Sequence, residues 1–417
     1  MGFIMSKNYF LRNVPPILDE TISIQEKLKI AVNNTGNYLY ERAVLNQIVD
    51  IEIIDALDSY IEPDSTLILS MSNFISPFTD LGILAIEIEE KKFSKIIMIG
   101  AGAQAYDYFE NINLTRGTNN FLSLISERSM SIGVRGYYTA EILNDLGYKN
   151  IDVIGCPSIF MECTPHLQVV SANKFESHFS TIFNFTPAGY FRDKISELIA
   201  FGVMNCNAFV AQSETDLFGL FEKSPDYEKN LDFFFSYYSN PKILSSDAKQ
   251  WFLLNSHWFF DFINWNKFAS DFDFSIGSRF HGNILSILNG KPALNLTFDV
   301  RTRELCEYLN LPFMLLKDFD SNIPIAHLYD YADFNFFNST YSLKYNNYSN
   351  FLIKNGLKSR LKSFPIINSF AKKDSITSRS ISVLIEDAIL RNCLGPDLLN
   401  EFRLRLSLGN PPLLQGP

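Results

Sequence analysis

The stretch "FSIGSRFHGNILSILNGKPALNLTFDVRTRELCEYLNLP" covers residues 274–312. An apolar run opens it and ends in the small residues Gly277 and Ser278. Arg279 and His281 follow, one residue apart. Residues 282–290 are spaced as a helix, and a second apolar run, 292–299, closes at Asp299 with Arg301 just beyond. Two short buried runs joined by a helix read as a β-α-β unit of a parallel sheet. The two cations and the imidazole then sit at the carboxyl ends of strands, where open α/β sheets bind their ligands.

In extended geometry residues i and i+2 share a face, so Arg279 and His281 are expected to point the same way with Phe280 packed inward. A histidine with a pKa near neutrality can give or take a proton, and an adjacent arginine suits an anionic substrate. Arg301 lies one helix and one strand after His281, so neighbouring strands would bring it to the same ligand. Asp299 is expected to cap the helix that follows.

The same rhythm runs through the rest of the chain. Residues 27–34, 65–70, 94–102, 129–136 and 150–158 are read as buried strands, with helical spacing at 36–49 and 136–148. The pattern restarts with a strand in 176–189, a helix at 192–203, a strand at 208–213, helical material at 245–268 and a last short strand at 311–319. An α/β protein of two parallel-sheet halves follows. The expected division is 1–170, 171–345 with the RFHG stretch, and a mostly helical C-terminal segment, 346–417. The cleft between two such halves is the default binding site.

Composition narrows the classes. A chain of 417 residues exceeds one ordinary core. Apolar residues make up 47% and charged ones 20%, as in a packed globular protein. The net charge of −10 argues against a nucleic-acid surface, so an anion must be held by a local cationic pocket. Five dispersed cysteines, at 156, 163, 206, 306 and 393, suit neither a disulfide framework nor a zinc site, and point to a reducing cytoplasm. No uncharged apolar stretch of membrane-spanning length occurs, and the N-terminus lacks a secretory layout, although Gly2 and Ser6 fit a loose myristoylation pattern. No metal and no cofactor are expected.

Three upstream turns face the same cleft on this reading. The Asn34–Asn37 turn, with Gly36, starts a helix whose free amides can hold an anion or a sugar hydroxyl. The G-x-G-x-x-A at 100–105 lies in a late strand without a following acidic partner, so Gly102 is read as a close-approach loop rather than a dinucleotide fingerprint. Arg135 follows a strand at the mouth of a helix, and its planar fork suits phosphate or carboxylate.

These residues resemble the polysaccharide pyruvyl transferase family over most of 28–320. The resemblance rests on Arg279-Phe280-His281-Gly282, Gly290-Lys291-Pro292, Asp299 and Arg301, with Asn34-Thr35-Gly36-Asn37, Gly100-Ala101-Gly102 and Val134-Arg135 through Leu146-Gly147 upstream. Asn37 stands where members commonly have Asp, and Arg301 where they have Lys. The resemblance implies a GT-B-like fold of two Rossmann-like domains facing a cleft. It also implies transfer of a pyruvyl group from phosphoenolpyruvate to two hydroxyls of one sugar, giving a ketal and phosphate in polysaccharide or exopolysaccharide biosynthesis. Arg135, Arg279 and Arg301 are then the candidates for phosphoenolpyruvate, and His281 with Arg279 for catalysis. Asn34, Gly36 and Gly102 form the acceptor-side loops, and Tyr38 or Tyr106 are candidates to stack on the sugar. A lipid-linked acceptor would bring this cytoplasmic protein, without an integral segment, to the inner membrane face. A GT-B glycosyltransferase using a nucleotide sugar, and a non-catalytic carbohydrate-binding protein, are the rivals.

Overall fold

The computed structural model describes residues 7–17, 21–58, 60–105, 112–214, 217 and 227–362. The Gly2–Ser6 pattern, Tyr106, Cys393 and the C-terminal segment beyond 362 lie outside them. Twelve strands are described: β1 Asn8–Leu11, β2 Ile51–Ile54, β3 Thr66–Ser70, β4 Lys95–Ile99, β5 Ile132–Val134, β6 Ile151–Val153, β7 Thr181–Asn184, β8 Ala208–Ala211, β9 Ser256–Trp258, β10 Phe274–Gly277, β11 Ala293–Thr297 and β12 Phe313–Leu315. Every pairing among them is parallel.

The first sheet has the order β2-β1-β3-β4. The β5-β6 pair continues it, because Ala101 just past β4 bridges in parallel to Val134 at the end of β5. The second sheet has the order β12-β11-β10-β7-β8-β9. Its three strands β7, β8 and β9 step one way, and β10, β11 and β12 step the other. That is the doubly wound order, with its switch point between β7 and β10. The first sheet switches between β1 and β3. Residues β3, β7, β8, β10 and β11 are buried along their whole length, which is why they read as continuous apolar runs.

Three local expectations fail. Residues 27–34 are not a strand. Ser23 caps a helix at Ile24–Ile30 in a reciprocal capping box with Glu26, and that local hydrogen bonding overrides the short apolar run. The first strands are instead β1 and β2, which are only four residues each. Within 245–268, Ser256–Trp258 forms β9 at the sheet edge between two helices, Ser245–Asn255 and Phe262–Ser270.

The helix Asn335–Lys354 ties the two sheets together. Its Tyr348 ring stacks on Phe160 at 5.3 Å, and the Tyr348 hydroxyl donates to Gln47 Oε1 at 2.9 Å. Gln47 in turn donates to Pro157 O at 2.8 Å. Just beyond the helix, Asn355 reaches Ser131 Oγ and Arg360 reaches Asn46 O. One buried apolar cluster therefore runs from Phe10 and Ile97 of the first sheet, through Phe160 and Tyr348, to Phe183 and Phe209 of the second. Tyr348→Phe keeps the ring and strands the buried Gln47 carbonyl. It should lower stability by about 1–2 kcal/mol in urea unfolding, with an unchanged m-value.

Candidate functional site

The two switch points face each other across a cleft of about 840 Å³. The first sheet contributes Arg12 and Asn13 after β1, and Ser72 and Asn73 after β3. The second contributes Thr186 after β7, Gln212 after β8 and Ser278 to His281 after β10.

Asn184, fully buried at the end of β7, sets the turn after β10. Its carbonyl Oδ1 accepts from the Arg279 amide at 2.7 Å, and its Nδ2 donates to Asn283 Oδ1 at 2.9 Å. Asn283 continues the network to Asn295 Oδ1 at 3.0 Å and to Gly277 O at 2.9 Å. Gly277 has φ +156°, and a Cβ there would lie 2.0 Å from Asn184 O, so no larger residue fits. The chain turns at once into the helix Phe280–Leu288, with Arg279 as its N-cap. Arg279 and His281 therefore do not share the face of an extended strand, as their i, i+2 spacing suggested. One projects from the cap and the other from the first helical turn, and both still line the cleft.

The cations have distinct surroundings. Arg279 forks onto the buried Glu214 carboxylate, with Nε at 3.0 Å and Nη2 at 2.6 Å from Oε1. It also bonds Ser213 Oγ, and Phe185 O at 3.1 Å. Arg301 pairs with Asp299 at 2.5 Å, and Asp299 caps its helix by accepting from Thr302 N at 3.0 Å. Arg135, buried at the end of β5, donates through Nε to Gly100 O at 2.8 Å. Among the described residues no carboxylate forms an ion pair with it. Gly102 lies flat against its stem: a Cβ there would be 3.0 Å from Arg135 Cδ.

His281 meets the cleft floor. Its Nε2 lies 3.6 Å from Cys156 Sγ, and its ring centroid 6.0 Å from that of Tyr40. A Cβ on Gly36 would fall 2.9 Å from His281 Nδ1 and from Gln212 Oε1, so a larger residue there would displace one of these side chains. Asn34 fixes the turn by accepting from the Gly36 amide at 3.0 Å, and Thr35 N donates across the cleft to Gln212 O at 3.0 Å. Burial, and then the nearby Arg135 charge, push the imidazole pKa down to about 3. The imidazole is thus neutral at physiological pH in the unliganded protein, an acceptor of protons rather than the dual donor and acceptor its ordinary pKa suggested.

Behind Arg135 lies Glu304, fully enclosed, taking Thr139 N at 3.0 Å and Thr139 Oγ1 at 2.7 Å. Burial pushes its carboxyl up to about 8, against the opposing pull of Thr139 and Arg135. Tyr38, a stacking candidate, does not line this cleft but a second cavity on the far side of its helix. Among the described residues no group of three His, Cys, Asp or Glu side chains gathers to hold a metal. Sequence reasoning missed Glu214, Glu304, Cys156 and Gln212. Gln212 lies at the end of the expected strand 208–213 and Glu214 follows directly on it, so position at a strand's carboxyl end was the available signal.

The family model for polysaccharide pyruvyl transferase matches residues 28–299. The chain belongs to that family, which makes it a transferase of polysaccharide biosynthesis. No curated protein matches it. Among solved structures it is similar to a protein of uncharacterised function from Klebsiella pneumoniae subsp. pneumoniae (12% identity, 73% of this chain and 88% of that one, TM-score 0.38). It is also similar to MnaA of S. aureus in its UDP co-structure (13%, 75% and 84%, TM-score 0.39). A third is the UDP-GlcNAc 2-epimerase of Neisseria meningitidis bound to UDP-GlcNAc (14%, 81% and 81%, TM-score 0.35). Likenesses this remote leave the family match to carry the assignment.

The two buried titrating groups set opposite slopes of stability with pH. Folded Glu304 keeps its proton up to about 8 whereas the unfolded side chain loses it near 4.5, so its contribution is lost as pH rises through that window. His281 resists protonation down to about 3 whereas the unfolded ring charges near 6.5, so its neutral burial costs stability as pH falls through that window. In melting curves taken from pH 4 to 9, Glu304→Gln should flatten the alkaline decline and leave the acid decline in place. A variant with both declines intact would contradict the assignment.

Proposed function

We propose that the protein transfers the pyruvyl group of phosphoenolpyruvate to two hydroxyls of one sugar residue in a polysaccharide or its precursor, with a ketal and phosphate as products. The observation that carries this is the meeting of Arg135, Arg279, Arg301 and a neutral His281 in one cleft. Family membership supports the pyruvyl group as cargo. The donor carries a carboxylate and a phosphate. Arg135, whose Nε donates to Gly100 O, has no carboxylate ion pair among the described residues and offers its remaining donors, and Arg279 and Arg301 keep donors beyond those their carboxylates occupy.

In this mechanism the C3 methylene gains a proton, and positive charge develops at C2. One sugar hydroxyl bonds to C2 and gives its proton to His281. The C2–O bond to phosphate breaks with its electron pair leaving on oxygen, and the second hydroxyl bonds to C2 and loses its proton. One of the two hydroxyl protons balances the one gained at C3, and the other leaves with phosphate. Anionic donor in the cleft offsets the Arg135 field and raises the imidazole pKa, which makes His281 a stronger base once substrate is bound. Asn34, Gly36 and Gly102 shape the acceptor side. The four described cysteines are all free thiols, which fits a cytoplasmic setting, and a lipid-linked acceptor would be met at the inner membrane face.

The test is phosphate release from phosphoenolpyruvate with a panel of galactosides, glucosides and N-acetylmannosaminides. Release should depend on acceptor. His281→Ala should cut kcat by ~10²–10⁴-fold, and Arg279→Ala and Arg135→Ala should raise the donor KM strongly. No release with any acceptor, together with nucleotide sugars raising the melting temperature where phosphoenolpyruvate does not, would replace this reading by the glycosyltransferase.

A further inference from the structure

A second cavity, about 660 Å³, sits beside the cleft. The helix Asn37–Gln47 separates the two. Asn37 and Tyr40 line the cleft, whereas Tyr38 and Arg42 line the second cavity. Tyr38 and Arg42 are four residues apart, so they share one face of the helix, and Tyr40 falls on the opposite face. The far wall is β9 and the chain leaving it, including Trp258 and Phe260. The second cavity therefore continues along the same carboxyl rim of the second sheet that gives the cleft Gln212 after β8. One helix, about 10–12 Å across with its side chains, lies between the sites.

The lining has a particular chemistry. The Trp258 and Phe260 rings lie within 16° of parallel, with centroids 6.1 Å apart. Lys27 Nζ stands 6.0 Å over the Phe260 ring. Tyr38 Oη and Ser256 Oγ are shielded from solvent without a hydrogen-bond partner in the protein. Among the described residues no carboxylate pairs with Arg42. Asp261, also in the lining, is occupied as a helix cap on Asn264 N at 2.8 Å and Asn264 Nδ2 at 2.9 Å.

Near-parallel aromatic rings beside the exposed Arg42 match a sugar residue, whose pyranose C–H face is apolar and whose rim is polar. We infer that this cavity is a second glycan subsite, which holds a sugar residue of the acceptor away from the reacting hydroxyls. The inference rests on the proposed function in taking the acceptor to be a glycan. The occupant reaches over the N-terminal end of the helix Asn37–Gln47, with its reacting residue at His281 and a more distant one against Trp258 and Phe260. Arg42 at the rim adds a place for a carboxylate or phosphate on that distant residue. Oligosaccharides, not monosaccharides, are then the acceptors bound best.

The test uses the full chain, without phosphoenolpyruvate, on a glycan array of neutral, uronic-acid and phosphorylated oligosaccharides of one to six residues. Arg42→Ala and Phe260→Ala are run beside the unsubstituted protein, each checked for an unchanged melting temperature. Arg42→Ala, a surface change, guards against a folding defect in Phe260→Ala. Oligosaccharides should be retained, and at least one folded variant should weaken retention tenfold or more. Preference for acidic glycans lost in Arg42→Ala assigns that side chain to a carboxylate or phosphate, and equal retention of neutral glycans assigns the affinity to the rings. Either supports the subsite. Retention of no oligosaccharide, or retention untouched by both folded variants, overturns it. In the phosphate-release assay Arg42→Ala should leave the rate with a monosaccharide acceptor unchanged and raise the KM of an oligosaccharide acceptor. Array binding that depends on this cavity without any phosphate release would sink pyruvyl transfer alone. Phosphate release with array binding indifferent to both variants would sink the subsite alone.

Discussion

The cleft depends on the side-chain amide of Asn184. Every polar atom of that amide has a task where the second sheet reverses its strand order: Oδ1 holds the Arg279 amide, two residues past β10, and Nδ2 holds Asn283 inside the next helix. A polar group so deeply enclosed is tolerated only when it is satisfied, and here satisfaction dictates a single path for the chain. Gly277 and Gly282 are small because this amide occupies the space their side chains would need. The cap position of Arg279 and the first-turn position of His281 follow from that path. The chemistry of the cleft is thus held by a neutral network that does not itself touch the cavity.

Around that frame the charges are balanced locally. The protein as a whole is acidic, yet its cleft gathers arginines. Arg279 is answered by Glu214 and Arg301 by Asp299. Glu304 lies close enough to Arg135 to feel its charge but is buried enough to hold a proton at neutral pH. Among the described residues, Arg135 is thus the cleft arginine without a carboxylate ion pair, beside an uncharged imidazole. An incoming dianion gains most at Arg135, and the two paired arginines act as oriented donors rather than as bare charges.

Much of this was legible in residues 274–312, because buried parallel strands and the helix between them leave a period that survives without context. The convergence of Arg279, His281 and Arg301 followed from strand order alone. The route did not: whether Arg279 ends a strand or caps a helix is decided by Asn184, 95 residues away. The carboxylates were illegible for the same reason. Glu304 reaches Thr139 across 165 residues and Glu214 reaches Arg279 across 65. No local pattern announces such a partner. The short strands β1, β2 and β9 went unseen, and residues 27–34 misled because a capping box outweighed their apolar content.

The helix Asn335–Lys354 has a consequence for how the molecule comes apart. It is rooted by chain connection in the second half and buries Tyr341, Tyr345 and Tyr348 against Phe160, with Gln47 of the first half as a hydrogen-bond partner. A two-lobed outline would suggest two melting events, one per lobe. With the aromatic rivet shared, neither lobe can lose its packing without stripping the other of part of its interior. Heat should therefore dismantle both in one cooperative event, and a fragment ending before residue 335 would expose the Phe160 ring and the Gln47 amide it leaves behind.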